Sequence, residues 1–503
     1  MNERGRMTND DRVIVVGAGN AAMVAALAVH DTGAPVTMLE AAPRAERGGN
    51  SRFAGATFRF VHEGMAALEP LLDASSHELV PVSRVEAYSR ADYLRDLMDT
   101  SSGRMVPELA DVLLDESYPT MTWMRDKGVK WELATRKFVD KDQLSEAQPY
   151  TLPPGGAVRA VHEGIGLTDD LFAAVEAAGI DIWYDSPAHE LVTEGSTVLG
   201  VRVRRSDEFV TLHGTVILAC GGFEANPEMR LRYLGPGWDL VKVRGSRFNK
   251  GTMLDQALRA GAQAIGHWGG CHATPVAADA PAEGDLAITD QTGRHSYPYG
   301  LLVNALGQRF VDEGEQYYMK TYAKTGAAIR AQPRAWAAQV FDQKTLRYLQ
   351  PRYRTQEPVT GDTIDELAAA LGVAPAALRA TVEAYNEAAP DDAAAFDPTI
   401  EDGLATSGVV PPKSNWALRL DSPPFVAYPV TAGITFTYGG LRVDPEARVL
   451  DNEGRPMPGL LATGEITGGF FYDNYPAGAG LMRGAVFGRR AAASAVAALG
   501  GRS

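Results

Sequence analysis

Three features of this sequence predict an α/β fold class, α+β overall. A short β-branched run, Asp11–Val16 (DRVIVV), passes directly into a glycine-rich turn and an alanine-rich helix. A buried strand followed by Gly-Gly recurs twice, at 215–223 (TVILACGGF) and 460–469 (LLATGEITGG). Between about 271 and 435 the character changes to frequent prolines, aromatics and short loops. Together these describe a Rossmann-like domain interrupted by an inserted α+β second domain.

Taken in order, residues 1–10 are polar and are expected to form a disordered tail. The first part of the nucleotide-binding domain is expected over 11–271. It opens with a βαβ unit: the strand at 11–16, an alanine-rich helix stopped near Thr32-Gly33, and a second strand, Pro35–Leu39, ending in Glu40. A basic glycine-rich loop, Arg47-Gly48-Gly49-Asn50-Ser51, follows. Residues 84–130 have amphipathic helical spacing. Residues 188–219 read as short strands separated by turn residues, a meander that feeds the buried strand Thr215–Ala219. The inserted domain, which the resemblance below implies is the capping, substrate domain, is expected over 272–435, with helices at 364–388. The second part of the nucleotide-binding domain, 436–503, returns to the first style and closes on a long helix from about Leu481 to Ala498.

Composition narrows the function. The chain has 503 residues, 45% hydrophobic and 22% charged, which is enough apolar material for a large core. Its 48 Lys+Arg against 63 Asp+Glu give a net charge of −15, which argues against nucleic acid and anionic membrane surfaces as partners. An acidic small molecule remains possible, because a local positive pocket can sit in a negative protein. Two cysteines, Cys220 and Cys271, cannot build a zinc cluster or an iron–sulfur centre, so no metal site is expected. They form no disulfide framework, and no apolar run resembles a signal peptide, so a cytoplasmic location is expected. No stretch has the length of a membrane span.

The turn Gly17-Ala18-Gly19-Asn20-Ala21-Ala22 is a phosphate cradle. Gly17 permits the tight turn, Gly19 lets the backbone approach a pyrophosphate, and Ala22 allows close helix–strand packing. Asn20 and Ala21 start the helix whose N-terminus faces the negative charge. Glu40 ends the second strand, where its carboxylate accepts ribose hydroxyls and repels a 2′-phosphate. The two distant Gly-Gly segments imply a long cofactor touched by separated parts of the chain. That favours FAD over NAD.

The pieces VIVVGAGNAAMVAAL, RGGNS, VILACGGF, NKGTMLDQALRAGA, LVNALGQRFVDE, GGLRVD and LLATGEITGG span residues 13 to 469. With them the chain resembles the fumarate reductase/succinate dehydrogenase flavoprotein superfamily. Within it, GAGNAAM, ERGGNSRFAGATFR, GCHAT, ITFTYGG and NYPAGAGLMRGAVFGRRAA look most like the tricarballylate dehydrogenases. The resemblance implies a Rossmann-like FAD-binding domain of glutathione-reductase type, with substrate held between it and the cap. It carries FAD contacts onto Gly17, Gly19, Ala22 and Glu40, and onto Gly48, Gly49, Asn50, Ser51 and Gly55 of the basic loop. Gly221, Gly222 and Glu465, and Gly480 with Leu481 at the last helix, complete the set. Covalent members carry a histidine in the basic loop, and Asn50-Ser51-Arg52-Phe53-Ala54 has none, which implies noncovalent FAD.

The implied reaction is dehydrogenation of a CH–CH bond to C=C, with hydride passing to flavin N5. The favoured substrate is a tricarboxylate such as tricarballylate, going to aconitate. The rivals are a 3-ketosteroid dehydrogenase-like enzyme and a fumarate-reductase-type enoate reductase. A flavin-binding redox carrier without its own substrate is the reading from another class. His272, in Cys271-His272-Ala273-Thr274, matches the family histidine that binds a substrate carboxylate. The family's catalytic arginines would fall near 312–318 (DEGEQYY) and 474–477 (NYPA), and both segments lack one. Tyr475, in the glycine-rich turn before the last helix, is the replacement acid or base, since a phenol serves either role when its neighbours shift it. Tyr318 is in reserve, with Tyr322, Tyr297 and Tyr438 behind it. Arg352 and Arg354 of PRYRT could pair with a substrate carboxylate, Arg354 being preferred, and Thr437 stands where the family has a substrate-binding histidine. With no second dinucleotide motif, electrons are expected to leave for a separate acceptor protein or a quinone.

Overall fold

The computed structural model describes residues 12–138, 144–391 and 393–500. The tail expected over 1–10 lies outside the described residues. Along the chain, the elements that build the site begin with β1 (Val13–Val16), α1 (Asn20–His30) and β2 (Val36–Leu39). They continue with β3 (Thr215–Leu218), β4 (Cys271–Ala277) and β5 (Phe425–Thr437). They end with β6 (Pro456–Ala462) and α2 (Ala479–Gly500).

All four residues of β1 are apolar and buried, as a strand covered on both faces requires. It lies between β2 and β3, parallel to both, with Val13 opposite Val36 and Thr215. Beyond β3 comes β6, also parallel, and beyond β2 comes Asp181–Trp183. Arg448–Leu450 closes the other edge antiparallel. The three strands that run into glycine turns are therefore sheet neighbours, and their carboxyl ends open on one edge. That edge is where open α/β sheets bind their ligands.

α1 and α2 pack through small residues. A Cβ on Gly488 would lie 2.9 Å from the Ala21 carbonyl oxygen, and one on Gly484 would lie 3.1 Å from Ala21 Cβ. Any larger side chain there would force the helices apart. The meander Ala188–Glu194, Thr197–Arg205 and Glu208–His213 forms its own antiparallel sheet ahead of β3.

A second sheet stands across from the first. β4 runs antiparallel along β5 from Cys271↔Thr437 to Ala277↔Val430. β5 also pairs with Trp336–Phe341, which pairs with Leu301–Asn304. The segment expected as a cap contributes most of this sheet. It is joined from outside by Lys242–Val243, which pairs with Gly433 and Ile434. Helices Ile364–Leu371 and Pro375–Ala388 cover a small separate core around Leu301, Leu367 and Leu378. The main core runs continuously from β1 and α1 to Ala273, Val430 and Ile434, so both sheets share it.

Candidate active site

A cavity of about 870 Å³ runs from the carboxyl ends of the parallel strands to β4 and β5. Gly17 stands at its mouth with φ +113, and a side chain there would strike the Ala219 carbonyl. Gly19, Asn20 and Ala21 line the wall at the start of α1. The Asn20 amide donates to Ser51 Oγ (3.0 Å), and Asn20 Nδ2 donates to the Leu481 carbonyl (2.9 Å). The basic loop, α1 and α2 are thus tied at one point. Gly49, Asn50, Ser51, Gly55, Gly221, Glu465, Gly480 and Leu481 also line the cavity, as expected of cofactor contacts.

Glu40 is buried at the same edge, and Oε1 accepts the Ala42 amide at 2.8 Å. Burial pushes its carboxyl up to about 7, against the pull of the backbone amides around it. At the middle of the cavity Glu465 Oε1 accepts the Thr437 amide (2.9 Å) and hydroxyl (3.3 Å). Glu224 lies behind, taking Asn50 Nδ2 and Asn249 Nδ2 on one oxygen at 2.5 Å each. Burial, then the neighbouring Glu465, holds Glu224 protonated.

Three expected cofactor contacts sit one layer back from the cavity. Ala22 is fully buried against the sheet, Gly48 supplies a left-handed turn at φ +108, and the space beside Gly222 is filled by Glu465 and Thr437. Thr437, expected to bind substrate, donates its amide and hydroxyl to Glu465 and stands behind the residues that line the cavity.

The donor set fits FAD. Gly49 has open space beside its Cα, the first residues of α1 line the cavity, and the Glu40 carboxyl is buried at the same edge with Oε1 on the Ala42 amide. These are the requirements of a pyrophosphate and an unphosphorylated ribose.

The far end of the cavity is aromatic. His272 on β4 packs edge-on against Tyr322 (4.8 Å) and Tyr475 (5.2 Å) and tilts against Phe436 (5.1 Å). Tyr318 stacks on His295 at 5.7 Å. The three residues expected to be catalytic, Tyr475, His272 and Tyr318, therefore line one chamber, with Tyr322 between them. Burial, then Arg244, drives the His272 imidazole well below its ordinary value, so it is neutral. Its Nδ1 has no hydrogen-bond partner among the described residues. The Tyr475 oxygen accepts two backbone amides, from Gly478 (2.9 Å) and Gly480 (3.1 Å). Burial raises its phenol and those two donors pull it back.

Sequence reading missed the charged wall of this chamber. Arg244, Lys137, Asp290 and His295 all line it. They come from four segments with no shared spacing. In the PRYRT turn the buried arginine is Arg352, whose Nη1 pairs with Asp290 Oδ2 at 2.8 Å. Arg354, the preferred one, is exposed and does not line the cavity, because a tight turn sends residues two apart to different sides. Cys220 lines the cavity and Cys271 is buried, both as free thiols. Among the described residues no cluster of His, Cys, Asp or Glu could hold a metal, and no helix is long and apolar enough to cross a membrane.

A glycine cradle, a buried acid after the second strand and a long cavity across the sheet edge define a dinucleotide-cofactor flavoprotein. Residues 12–481 match the FAD binding domain family, and the chain belongs to it; FAD is its cofactor. It is 26% identical to the NADH:acrylate oxidoreductase of Vibrio harveyi over 96% of this chain, and spans only half of that protein's length. It is 28% identical to the 4-oxocyclohexanecarboxylate 2-dehydrogenase of Sinomonas cyclohexanicum, covering 94% of this chain and 90% of that one. Its fold is similar to the open conformation of a flavocytochrome c3 fumarate reductase, with TM-score 0.69 and 24% identity over 97% of this chain and 78% of the other.

Proposed function

We propose that the chain is an FAD-dependent oxidoreductase that interconverts CH–CH and C=C in a small carboxylate, with Tyr475 moving the proton. The observation that carries this is the double amide contact at Tyr475. Two backbone donors occupy the phenol oxygen, so its own proton is left for an acceptor in the chamber. Bound FAD would supply the two-electron, hydride-exchanging partner. Tyr475 gives its proton when a double bond is saturated and, starting as the phenolate, takes one when a bond is dehydrogenated. The same amides stabilise the phenolate left after donation. The aromatic faces of Tyr322, Phe436 and His272 exclude water and orient a flat or compact carbon skeleton, and Arg244 supplies a buried positive charge for its carboxylate.

The named substrates of the relatives support a carboxylate: acrylate is an enoate and 4-oxocyclohexanecarboxylate is a cyclic keto acid. A tricarboxylate such as tricarballylate is the second reading, for which Lys137 is a further cation and the neutral His272 and His295 are further hydrogen-bonding groups lining the same chamber. A separate protein or quinone is the proposed electron partner.

The test is anaerobic bleaching of the oxidised flavin band by 4-oxocyclohexanecarboxylate, tricarballylate and a 3-ketosteroid, with acrylate and fumarate offered to the reduced protein. Reaction with any of the acids supports the reading. Bleaching by the uncharged steroid alone overturns the carboxylate class.

A further inference from the structure

We propose that Lys137 and Arg244 form a subsite for the substrate carboxylate at the closed end of the chamber, with Lys137 supplying the charge that matches the anion. The inference rests on the carboxylate reading above and assigns its binding groups.

Both residues line the chamber. Arg244 follows the Lys242–Val243 strand and is nine-tenths buried. Its Nη1 donates to Thr435 Oγ1 at 3.2 Å, its Nη2 pairs with Asp290, and its Nε has no hydrogen-bond partner among the described residues. Lys137 Nζ donates to Thr57 Oγ1 at 3.1 Å. Gly55 sets Lys137 beside the carboxylate that pairs with Arg244: a Cβ there would be 2.8 Å from Asp290 Oδ2 and 3.5 Å from Lys137 Nζ.

The charges around Lys137 close in a definite way. Arg244 and Arg352 both pair with Asp290. Arg159 pairs with Glu132 (2.7 Å) and Glu163 (2.8 Å). Among the described residues these three arginines face three carboxylates, and the ammonium of Lys137 is the further cation. His272 and His295 are held neutral by burial and the nearby cations, and burial pushes the phenols of Tyr318, Tyr322 and Tyr475 up, so none of these adds charge. Burial, then Arg352 and Arg159, brings Lys137 itself down to about 7. With Lys137 neutral the wall is balanced. A bound carboxylate restores balance only with Lys137 charged, so binding draws a proton onto it.

The test is calorimetric titration of the FAD-loaded protein with benzoate, a flat carboxylate that it cannot dehydrogenate, in buffers of different ionisation enthalpy. For a group titrating at about 7, proton uptake per benzoate should be clearly larger at pH 8 than at pH 6. Lys137→Gln should abolish the uptake and weaken binding by about tenfold or more. Lys137→Arg, always charged, should keep near-native affinity with no uptake at either pH. It also serves if the glutamine variant does not fold. Unchanged uptake in either variant overturns the assignment to Lys137. Absence of benzoate binding to the native protein overturns the subsite. In that event, flavin bleaching by an uncharged ketone would show that the oxidoreductase reading survives without it.

Discussion

The Tyr475 hydroxyl oxygen lies 2.9 Å from the amide nitrogen of Gly478, three residues further along its own turn. That turn is possible because Gly478 has φ +89 and a Cβ there would press on the backbone of Phe58 and Arg59. The phenol is therefore held by the main chain rather than by a side chain that a substrate could displace.

Tyr475→Phe removes the hydroxyl and little volume. If the phenol transfers the proton, flavin reduction by substrate should slow by about 10²–10⁴-fold with FAD still bound, measured by anaerobic stopped flow. A near-native rate would return Tyr475 to a packing role.

FAD should be held without a covalent bond. Acid precipitation should leave the yellow colour in the supernatant, because the Arg47–Ala54 loop has no histidine to attach it. Colour that stays with the pellet overturns this.

Glu40 gives a pH signature. Its folded-state value near 7 is above its ordinary 4.5, so the FAD-free fold keeps a proton that the unfolded chain releases. That contribution is complete below pH 4.5 and is lost as pH rises through 7. Relative to Glu40→Gln, the FAD-free native protein should lose on the order of 1–3 kcal/mol between pH 4.5 and 8, read from urea unfolding. A constant difference across that range sinks the claim. The glutamine variant should also retain FAD more weakly, since a ribose contact to a charged carboxylate is worth about 1.5–3 kcal/mol.

His272→Ala should raise KM for the acid by roughly tenfold, corresponding to about 1.4 kcal/mol. Because burial and Arg244 keep the imidazole neutral, the factor should be the same at acid and alkaline pH within the stable range. An effect that fades as pH rises would mean that a cationic ring binds the substrate.

What could be read from the sequence was whatever sat in one short stretch. Gly17, Gly19 and Glu40 declare their roles because strand, turn, helix and second strand follow without interruption. His272 and Tyr475 stand in recognisable segments, and both line the chamber. Arg244, Lys137 and Asp290 gave no such signal. They come from separate segments, with Arg244 placed by the pairing of Lys242–Val243 with β5, and share only the cavity wall. Arg352 and Arg354 could not be told apart without knowing which way their turn faces the core. The contact of Thr437 with Glu465 could not be read from the sequence because the two are 28 residues apart.

The contact of α2 with α1 has a consequence for biosynthesis. One wall of the FAD site is made by residues 17–21 and the facing wall by Gly480, Leu481 and Gly484, with Gly484 and Gly488 seated on Ala21. Domains fold as units while the chain emerges from the ribosome, N-terminal parts first. Here the first βαβ unit emerges without the helix that completes its ligand site. Retention of the cofactor should therefore need α2, and a ribosome-stalled chain ending before residue 479 should stay colourless however much FAD surrounds it.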